Sequence, residues 1–207
     1  MRYRHVIFDL DGTLIDTEAT HSVSLIQTAR ELMGLEMTME EAYPFFAIPS
    51  ADAPVVLGYA DVPGFMDLWE KYYRLQWHLS KPFDGALEVV QAVKAAGCGT
   101  GVVTSRSRRE FGADPNMKTF GQYFDVVTCA GDTPRPKPYP DAVYRYMEIS
   151  GAVAEDIVFV GDTAMDAACA HSAGLPFACA DWGRRGVDDI SHEYVFHSAD
   201  ELREILL

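Results

Sequence analysis

The sequence predicts an α/β fold: a Rossmann-like parallel sheet with helices on both faces, and a small all-helical domain inserted after the first strand. Short, continuous apolar runs such as residues 157–161 alternate with segments of helical spacing. Such runs are typical of strands that are buried on both faces of a parallel sheet. The segment 38–81 interrupts the alternation, because its many large aromatic residues recur at helical spacing without strand alternation.

The elements of the sheet domain follow one another regularly along the chain. The first predicted strand spans residues 3–10 and has Val6, Ile7 and Phe8 at its apolar centre. Residues 107–123 are expected to be helical or irregular. The other strands are predicted at 99–104, 124–130, 157–161 and 176–180, and the helices at 86–96, 141–150, 163–173 and 200–206.

The inserted domain begins where the pattern becomes helical, at Asp16. Apolar residues then recur three and four positions apart until Gly34, and glycine favours the end of a helix. Beyond it, prolines divide the aromatic-rich segment into short helical pieces, and residues 81–85 form a linker back to the sheet. We therefore predict a sheet domain of residues 1–15 and 82–207 and a helical domain of residues 16–81.

The composition limits the partners and the cellular location that we expect. A formal net charge of -14 repels nucleic acid and anionic lipid, so neither is an expected partner. No apolar run approaches the roughly 20 residues that cross a membrane, and the charged start is not typical of a signal peptide. The four cysteines form no C-x-x-C pair and are expected to be reduced core thiols, which favours a cytoplasmic protein.

Polar residues that could take part in catalysis or ligand binding stand at the carboxyl ends of four predicted strands. In open parallel sheets, ligands bind beyond these ends, so we expect the side chains to converge there. Singly, each has an ordinary structural interpretation as a turn residue, a helix cap or a loop lysine. In chain order the residues are Asp9 and Asp11, then Thr104 and Ser105, then Lys137, and finally Asp162 and Asp166.

The residue types at these positions suit phosphoryl transfer. The carboxylate of Asp9 can act as a nucleophile that forms an acyl phosphate. Asp11 can protonate the leaving oxygen and later activate water. Gly12 allows a sharp turn that brings backbone N–H groups near the phosphate.

The same positions offer a site for a metal ion and for the phosphoryl oxygens. Asp9 and Asp162 supply hard oxygen ligands that suit Mg²⁺. Lys137 and Thr104 can bind the remaining phosphoryl oxygens and stabilise the charge of the transition state. Because the protein is so acidic, an anionic substrate needs such a local positive centre.

Four segments resemble the motifs of the haloacid dehalogenase superfamily, in the group that carries a helical cap after the first motif. The resemblance extends over nearly the whole chain and is strongest to phosphoglycolate phosphatase-like and pyrophosphatase-like members. The four segments are D-L-D-G-T-L at 9–14, V-V-T-S at 102–105, K-P-Y-P-D at 137–141 and V-G-D-T-A-M-D at 160–166.

The resemblance implies a Mg²⁺-dependent phosphatase acting on a small phosphorylated metabolite, with residues 16–81 as its cap. It adds the backbone carbonyl of Asp11 as a third metal ligand beside Asp9 and Asp162. It gives Asp166 a supporting role toward the metal's waters or Lys137. It also places Ser105 beside Thr104 in the phosphate-binding motif. The oligomeric state stays open between a monomer and a homodimer.

Two alternatives to a phosphatase remain open. The first is a phosphosugar mutase of the same superfamily. The second belongs to another class, a phospho-accepting regulatory or binding protein without turnover, since response regulators also phosphorylate an aspartate at a strand end. The aromatic cap argues against this class, because a receiver domain has no need to cover its site. A dehalogenase is disfavoured, because Asp11 and the metal ligands are what phosphoryl chemistry needs.

Overall fold

The computed structural model describes residues 2–48, 50–182 and 186–207. Its chain divides into two units, one formed by Met1–Ile15 and Pro82–Leu207 and the other by Asp16–Lys81. That the first unit carries the catalytic residues and the second serves as a cap stays a prediction. Within the described residues, no helix is long and apolar enough to cross a membrane.

The first unit is built on a six-stranded sheet in which all neighbouring strands are parallel. A separate two-stranded sheet pairs Ile15–Asp16 (β2) with Lys81–Pro82 (β3). In spatial order the strands of the large sheet are Val126–Ala130 (β5), Gly99–Ser107 (β4), His5–Phe8 (β1), Ile157–Gly161 (β6), Phe177–Ala180 (β7) and Tyr194–Phe196 (β8).

The order of these strands reverses between β1 and β6. The chain runs outward from β1 through β4 to β5, and then returns to the other side of β1 to form β6, β7 and β8. This is the doubly wound arrangement, in which ligands bind at the carboxyl ends of the strands that flank the reversal. The predicted fold class is thereby confirmed, and Asp9 and Asp162 follow the two flanking strands directly.

Helices cover both faces of the sheet, and two separate apolar clusters fill the space beneath them. Adjacent side chains of β1 divide between the clusters, because successive strand residues point to opposite faces. Phe8 belongs to one cluster and Ile7 to the other. The helices of this unit are Ala86–Ala95 (α5), Arg108–Ala113 (α6), Met117–Phe120 (α7), Asp141–Ser150 (α8), Ala164–Ser172 (α9) and Ala199–Leu206 (α10).

The second unit is helical and has a core of its own. Phe65 and Trp69 are buried in that core, and the indole N–H of Trp69 donates to the hydroxyl of Ser24 over 2.8 Å. The first helix ends at Gly34 in a left-handed conformation, with φ of 63°, as its sequence predicts. The helices are Glu18–Met33 (α1), Met39–Ala42 (α2), Ala53–Val56 (α3) and Val62–Leu75 (α4).

Several strands differ from the prediction: β1 spans residues 5–8 instead of 3–10, and the two-residue strands β2 and β3 are absent from the prediction. β4 continues to Ser107 instead of ending at 104, and its pairing with β5 shifts in register between Val103 and Ser107. β8 is absent from the prediction, because its three residues are too few to show a period. The longer β4 includes residues 105–107, which lie beyond the expected end of the strand.

Candidate active site

A buried lysine joins two aspartates at the reversal point of the sheet. The Lys137 ammonium lies 2.8 Å from Oδ1 of Asp9 and 2.6 Å from Oδ1 of Asp166. Lys137 comes from the loop after β5, and Asp166 from the first turn of α9. Burial opposes the charge on Lys137, but the carboxylates of Asp166 and Asp9 outweigh it and raise the pKa of this lysine above its ordinary value.

Three carboxylates gather around this lysine. Asp9, Asp162 and Asp166 each place one oxygen within 4.8 Å of the others. Burial raises the pKa of Asp9 to about 7 despite the Lys137 ammonium, and the charge of Asp166 adds to the effect. The pKa of Asp162 is also well above its usual range, because of burial and then the charges of Asp166 and Asp9.

This donor set fits a hard divalent cation. One ammonium does not balance three neighbouring carboxylates, and burial, with the charges of the neighbouring carboxylates added to it, raises the pKa values of Asp9 and Asp162. Carboxylate oxygens are the ligands that Mg²⁺ prefers in proteins. The side chain of Asp11 is not part of the carboxylate cluster, so only its carbonyl is a candidate ligand.

Asp166 holds the lysine in place. One of its oxygens accepts from Lys137, and the other accepts from the backbone N–H of Thr163 over 3.0 Å and from its hydroxyl. The Thr163 hydroxyl in turn caps α9. Because both oxygens of Asp166 already accept hydrogen bonds, its geometry suits support of Lys137 better than direct binding of a metal.

Gly12 allows the turn after β1 to pass close to Asp162. Its φ is 83°, and a Cβ atom at this position would lie 2.0 Å from Oδ2 of Asp162. Its own N–H donates to the carbonyl of Ile15 over 2.9 Å, and the role of this turn in bringing backbone N–H groups near a phosphate stays a prediction. Gly12 therefore has a steric role here.

The Asp11 carboxylate is bound by Arg106, which is not among the residues predicted from the sequence. Nε and Nη2 of Arg106 donate to the two carboxylate oxygens over 2.8 and 2.7 Å. Nη1 of the same guanidinium donates to Asp114 over 2.5 Å. The signal that could have identified Arg106 is its position in β4, where strand alternation turns Ser105 outward and Arg106 inward.

The two predicted phosphate-binding hydroxyls have different environments. Thr104 is buried, and its Oγ1 accepts the backbone N–H of Arg106 over 3.1 Å. Ser105 is exposed on the opposite side of the strand. Because Phe8 pairs with Val102 in a parallel register, Thr104 lies opposite the segment that follows β1. Thr104 is therefore at the same edge of the sheet as Asp9.

Thr13 is a second residue of the site region that is not among the predicted site residues. Its hydroxyl donates to Oδ1 of Asp162 over 2.9 Å, and its carbonyl accepts from the Trp182 indole over 2.7 Å. The Trp182 ring stacks on Phe83, with 5.5 Å between their centroids. The turn after β1 therefore orients Asp162 through both Gly12 and Thr13.

Comparisons with known proteins identify the family of this chain. Residues 6–180 match the family described as haloacid dehalogenase-like hydrolase. A candidate PpaX pyrophosphatase of Caldanaerobacter subterraneus subsp. tengcongensis is 33% identical over 192 residues, which are 88% of this chain and 83% of the relative. The pyrophosphatase PpaX of Bacillus mycoides is 26% identical over 210 residues, covering 100% of this chain and 98% of that protein.

A solved structure shares the fold over the full length of both chains. The crystal structure of a candidate phosphoglycolate phosphatase from Lactobacillus plantarum superposes with a TM-score of 0.91 at 23% sequence identity, and each chain is covered to 100%. At 23% identity, this structural similarity shows the fold alone. With the family match over most of its length, the chain belongs to the haloacid dehalogenase-like hydrolases.

Proposed function

We propose that this hydrolase is a Mg²⁺-dependent phosphatase that removes the phosphoryl group of a small phosphorylated metabolite through an aspartyl-phosphate on Asp9. The observation that carries the proposal is the buried contact of Lys137 with Asp9 and Asp166, beside Asp162, at the reversal point of the sheet. A lysine between carboxylates keeps an anionic nucleophile close to an anionic substrate without full charge repulsion.

The reaction proceeds in two displacements at phosphorus. An oxygen of Asp9 attacks, the bond from phosphorus to the leaving oxygen breaks, and Asp11 gives its proton to that oxygen. Water then attacks the acyl phosphate while Asp11 takes a proton from it, which releases inorganic phosphate and restores Asp9. Lys137 and Thr104 bind the phosphoryl oxygens, and the chain positions both at the same edge as the nucleophile.

The metal ion would be held by the carboxylates of Asp9 and Asp162 and by the backbone carbonyl of Asp11. When bound, Mg²⁺ supplies positive charge that offsets repulsion between the nucleophile and the phosphoryl oxygens. Thr13 orients Asp162 by its hydrogen bond, and Asp166 keeps Lys137 at Asp9.

The names of the relatives give the first substrates to examine. The two PpaX relatives are named as pyrophosphatases, and one is 33% identical to this chain, which favours pyrophosphate as a second candidate substrate class. The structural neighbour carries the name of a phosphoglycolate phosphatase. A panel of phosphoglycolate, sugar phosphates, nucleotides and pyrophosphate with Mg²⁺ separates a monoesterase from a pyrophosphatase by kcat/KM.

A variant of the nucleophile tests the chemistry. Asp9→Asn keeps the shape of the side chain but removes the attacking charge, so turnover of p-nitrophenyl phosphate with Mg²⁺ should fall to background. Asp156→Asn is the control, since Asp156 lies at the opposite end of β6, where it pairs with Arg4.

Removal of the metal ion tests the role of Mg²⁺. Chelation by EDTA should abolish the activity of the wild-type protein, and added Mg²⁺ should restore it. Full activity of Asp9→Asn, or turnover that resists the chelator, would refute the proposal.

A further inference from the structure

The guanidinium of Arg106 stands between two aspartates that lie far apart in the chain. Two of its nitrogens bind both carboxylate oxygens of Asp11, and the third binds Asp114. Only 8% of Arg106 and 2% of Asp114 are exposed, whereas the side chain of Asp11 is 28% exposed. The buried part of this triad therefore lies behind Asp11, and Asp11 is the member that meets solvent.

Asp114, the anchor of this triad, is itself held in place. Oδ1 of Asp114 accepts the backbone N–H of Asn116 over 2.8 Å, and Asp114 ends the short helix α6. Arg106 is held by β4 at its backbone, where its N–H donates to Thr104. A planar guanidinium that binds both oxygens of a carboxylate sets the plane of that carboxylate, which a single ammonium cannot do.

A carboxylate that accepts two bonds from an arginine keeps further lone pairs for other partners. Asp11 can thus stay on Arg106 and still exchange a proton with a leaving oxygen or a water molecule. We propose that Arg106 is the positioning residue for Asp11, anchored by Asp114, and that it directs the Asp11 carboxyl group during proton transfer. This inference rests on the proposed function, because it assigns to Asp11 the proton transfers of that reaction.

Esters with different leaving groups separate positioning of Asp11 from other roles. Loss of a well-placed general acid slows esters of poor leaving groups most, because a good leaving group departs without a proton. Since kcat/KM reports the steps up to the first irreversible one, it covers formation of the aspartyl-phosphate. A role of Arg106 in fold stability alone, or in binding the phosphoryl group, would affect all esters equally.

The variants need a background in which Asp114 is not left as a buried, unpaired charge, because such a charge is strongly destabilising. We therefore use Asp114→Asn as the parent and add Arg106→Met to it. Arg108→Met in the same parent is the matched control, since Arg108 is exposed and pairs with Asp132. Circular dichroism and thermal melting of all three proteins establish that they are folded.

With Mg²⁺ present, Arg106→Met should lower kcat/KM about 100-fold for an alkyl phosphate and less than about 10-fold for p-nitrophenyl phosphate. Inhibition by inorganic phosphate should stay unchanged. Arg106→Lys should recover part of the loss. In an Asp11→Asn background, Arg106→Met should have little further effect on the alkyl ester, because the two residues act as one unit.

Equal losses on both esters, or no loss on either, would overturn this role of Arg106. So would a full additional loss in the Asp11→Asn background. Weaker inhibition by inorganic phosphate would instead identify Arg106 as a ligand of the phosphoryl group. Failure of the phosphatase proposal itself is a separate result, because it appears as turnover by Asp9→Asn or as wild-type protein that cleaves no ester.

Discussion

At the scale of a single residue, position 12 requires a residue without a Cβ atom, and substitution of Gly12 measures this requirement. An alanine there would have a strained positive φ, and its Cβ would overlap the Asp162 carboxylate. Gly12→Ala should therefore lower the free energy of unfolding by about 3 kcal/mol and should displace Asp162, so that phosphatase activity is lost even where the variant is folded. Chemical denaturation and turnover of p-nitrophenyl phosphate measure the two effects.

Gly151→Ala is the matched control for this prediction. Gly151 ends α8 with φ of 71°, and nothing lies within 4 Å of the position a Cβ would take. Its substitution should cost only the backbone strain of about 1–2 kcal/mol and should leave activity intact. Equal loss of stability in the two variants, with activity kept in both, would contradict the steric role of Gly12.

Most of the candidate site residues can be predicted from the sequence because they follow strands. Asp9 and Asp162 stand directly after apolar runs, and Lys137 stands in a loop at the same edge. Arg106 and Thr13 could not be found in this way. Their roles depend on which side of a strand or turn their side chains face, and that follows from the length of β4 and the path of the turn.

At the scale of elements, one carboxylate ties the start of β5 to β4. Asp125 accepts the backbone N–H of Thr100 over 2.9 Å and binds the ammonium of Lys94. Burial acts to raise the pKa of Asp125, but the hydrogen bonds from Lys94 and Thr100 outweigh it and leave the pKa below its usual value. The contacts of Asp125 thus connect the neighbouring strands β4 and β5. Because they are strongest when Asp125 is ionised, their contribution to stability depends on pH.

The sign of this dependence follows from the lowered pKa. Because the folded protein binds a proton to Asp125 less readily than the unfolded chain does, this stabilisation is present above the ordinary aspartate pKa of about 4 and is lost as the pH falls below it. Asp125→Asn should lower the free energy of unfolding by about 1 kcal/mol at pH 7 and by less at pH 3. Urea denaturation at the two pH values measures the difference, and an equal loss at both would contradict it.

The elements themselves were predictable to different degrees. The helix 141–150 and the strand 157–161 have the predicted bounds. The helix has a clear hydrophobic period, the strand is a continuous apolar run, and a glycine stands at or directly after the end of each. β8 is absent from the prediction, because it is a three-residue strand at the edge of the sheet that depends on β7 for its backbone pairing. The short helices α6 and α7 were expected only as a helical or irregular stretch, since neither spans two full turns.

At the scale of the whole molecule, the net charge opposes the binding of an anionic substrate, whereas the topology of the sheet creates a site that could bind one. The chain carries a net charge of -14, which slows the approach of an anionic substrate. The reversal of strand order gathers Asp9, Asp162 and Asp166 at one point, where the nearby positive charge comes from Lys137 and, in our proposal, from Mg²⁺. The proposed metal ion is thus the feature that would make this acidic protein able to bind a phosphate ester.

The central claim is that Asp9 becomes phosphorylated during turnover. Wild-type protein mixed with a rapidly cleaved phosphate ester and Mg²⁺, and then quenched in acid, should show an intact mass increased by one phosphoryl group. Peptide mapping should place that group on Asp9, and the Asp9→Asn protein should show neither the adduct nor turnover. Continued turnover without an adduct in rapid-quench samples, together with activity in Asp9→Asn, would contradict the account.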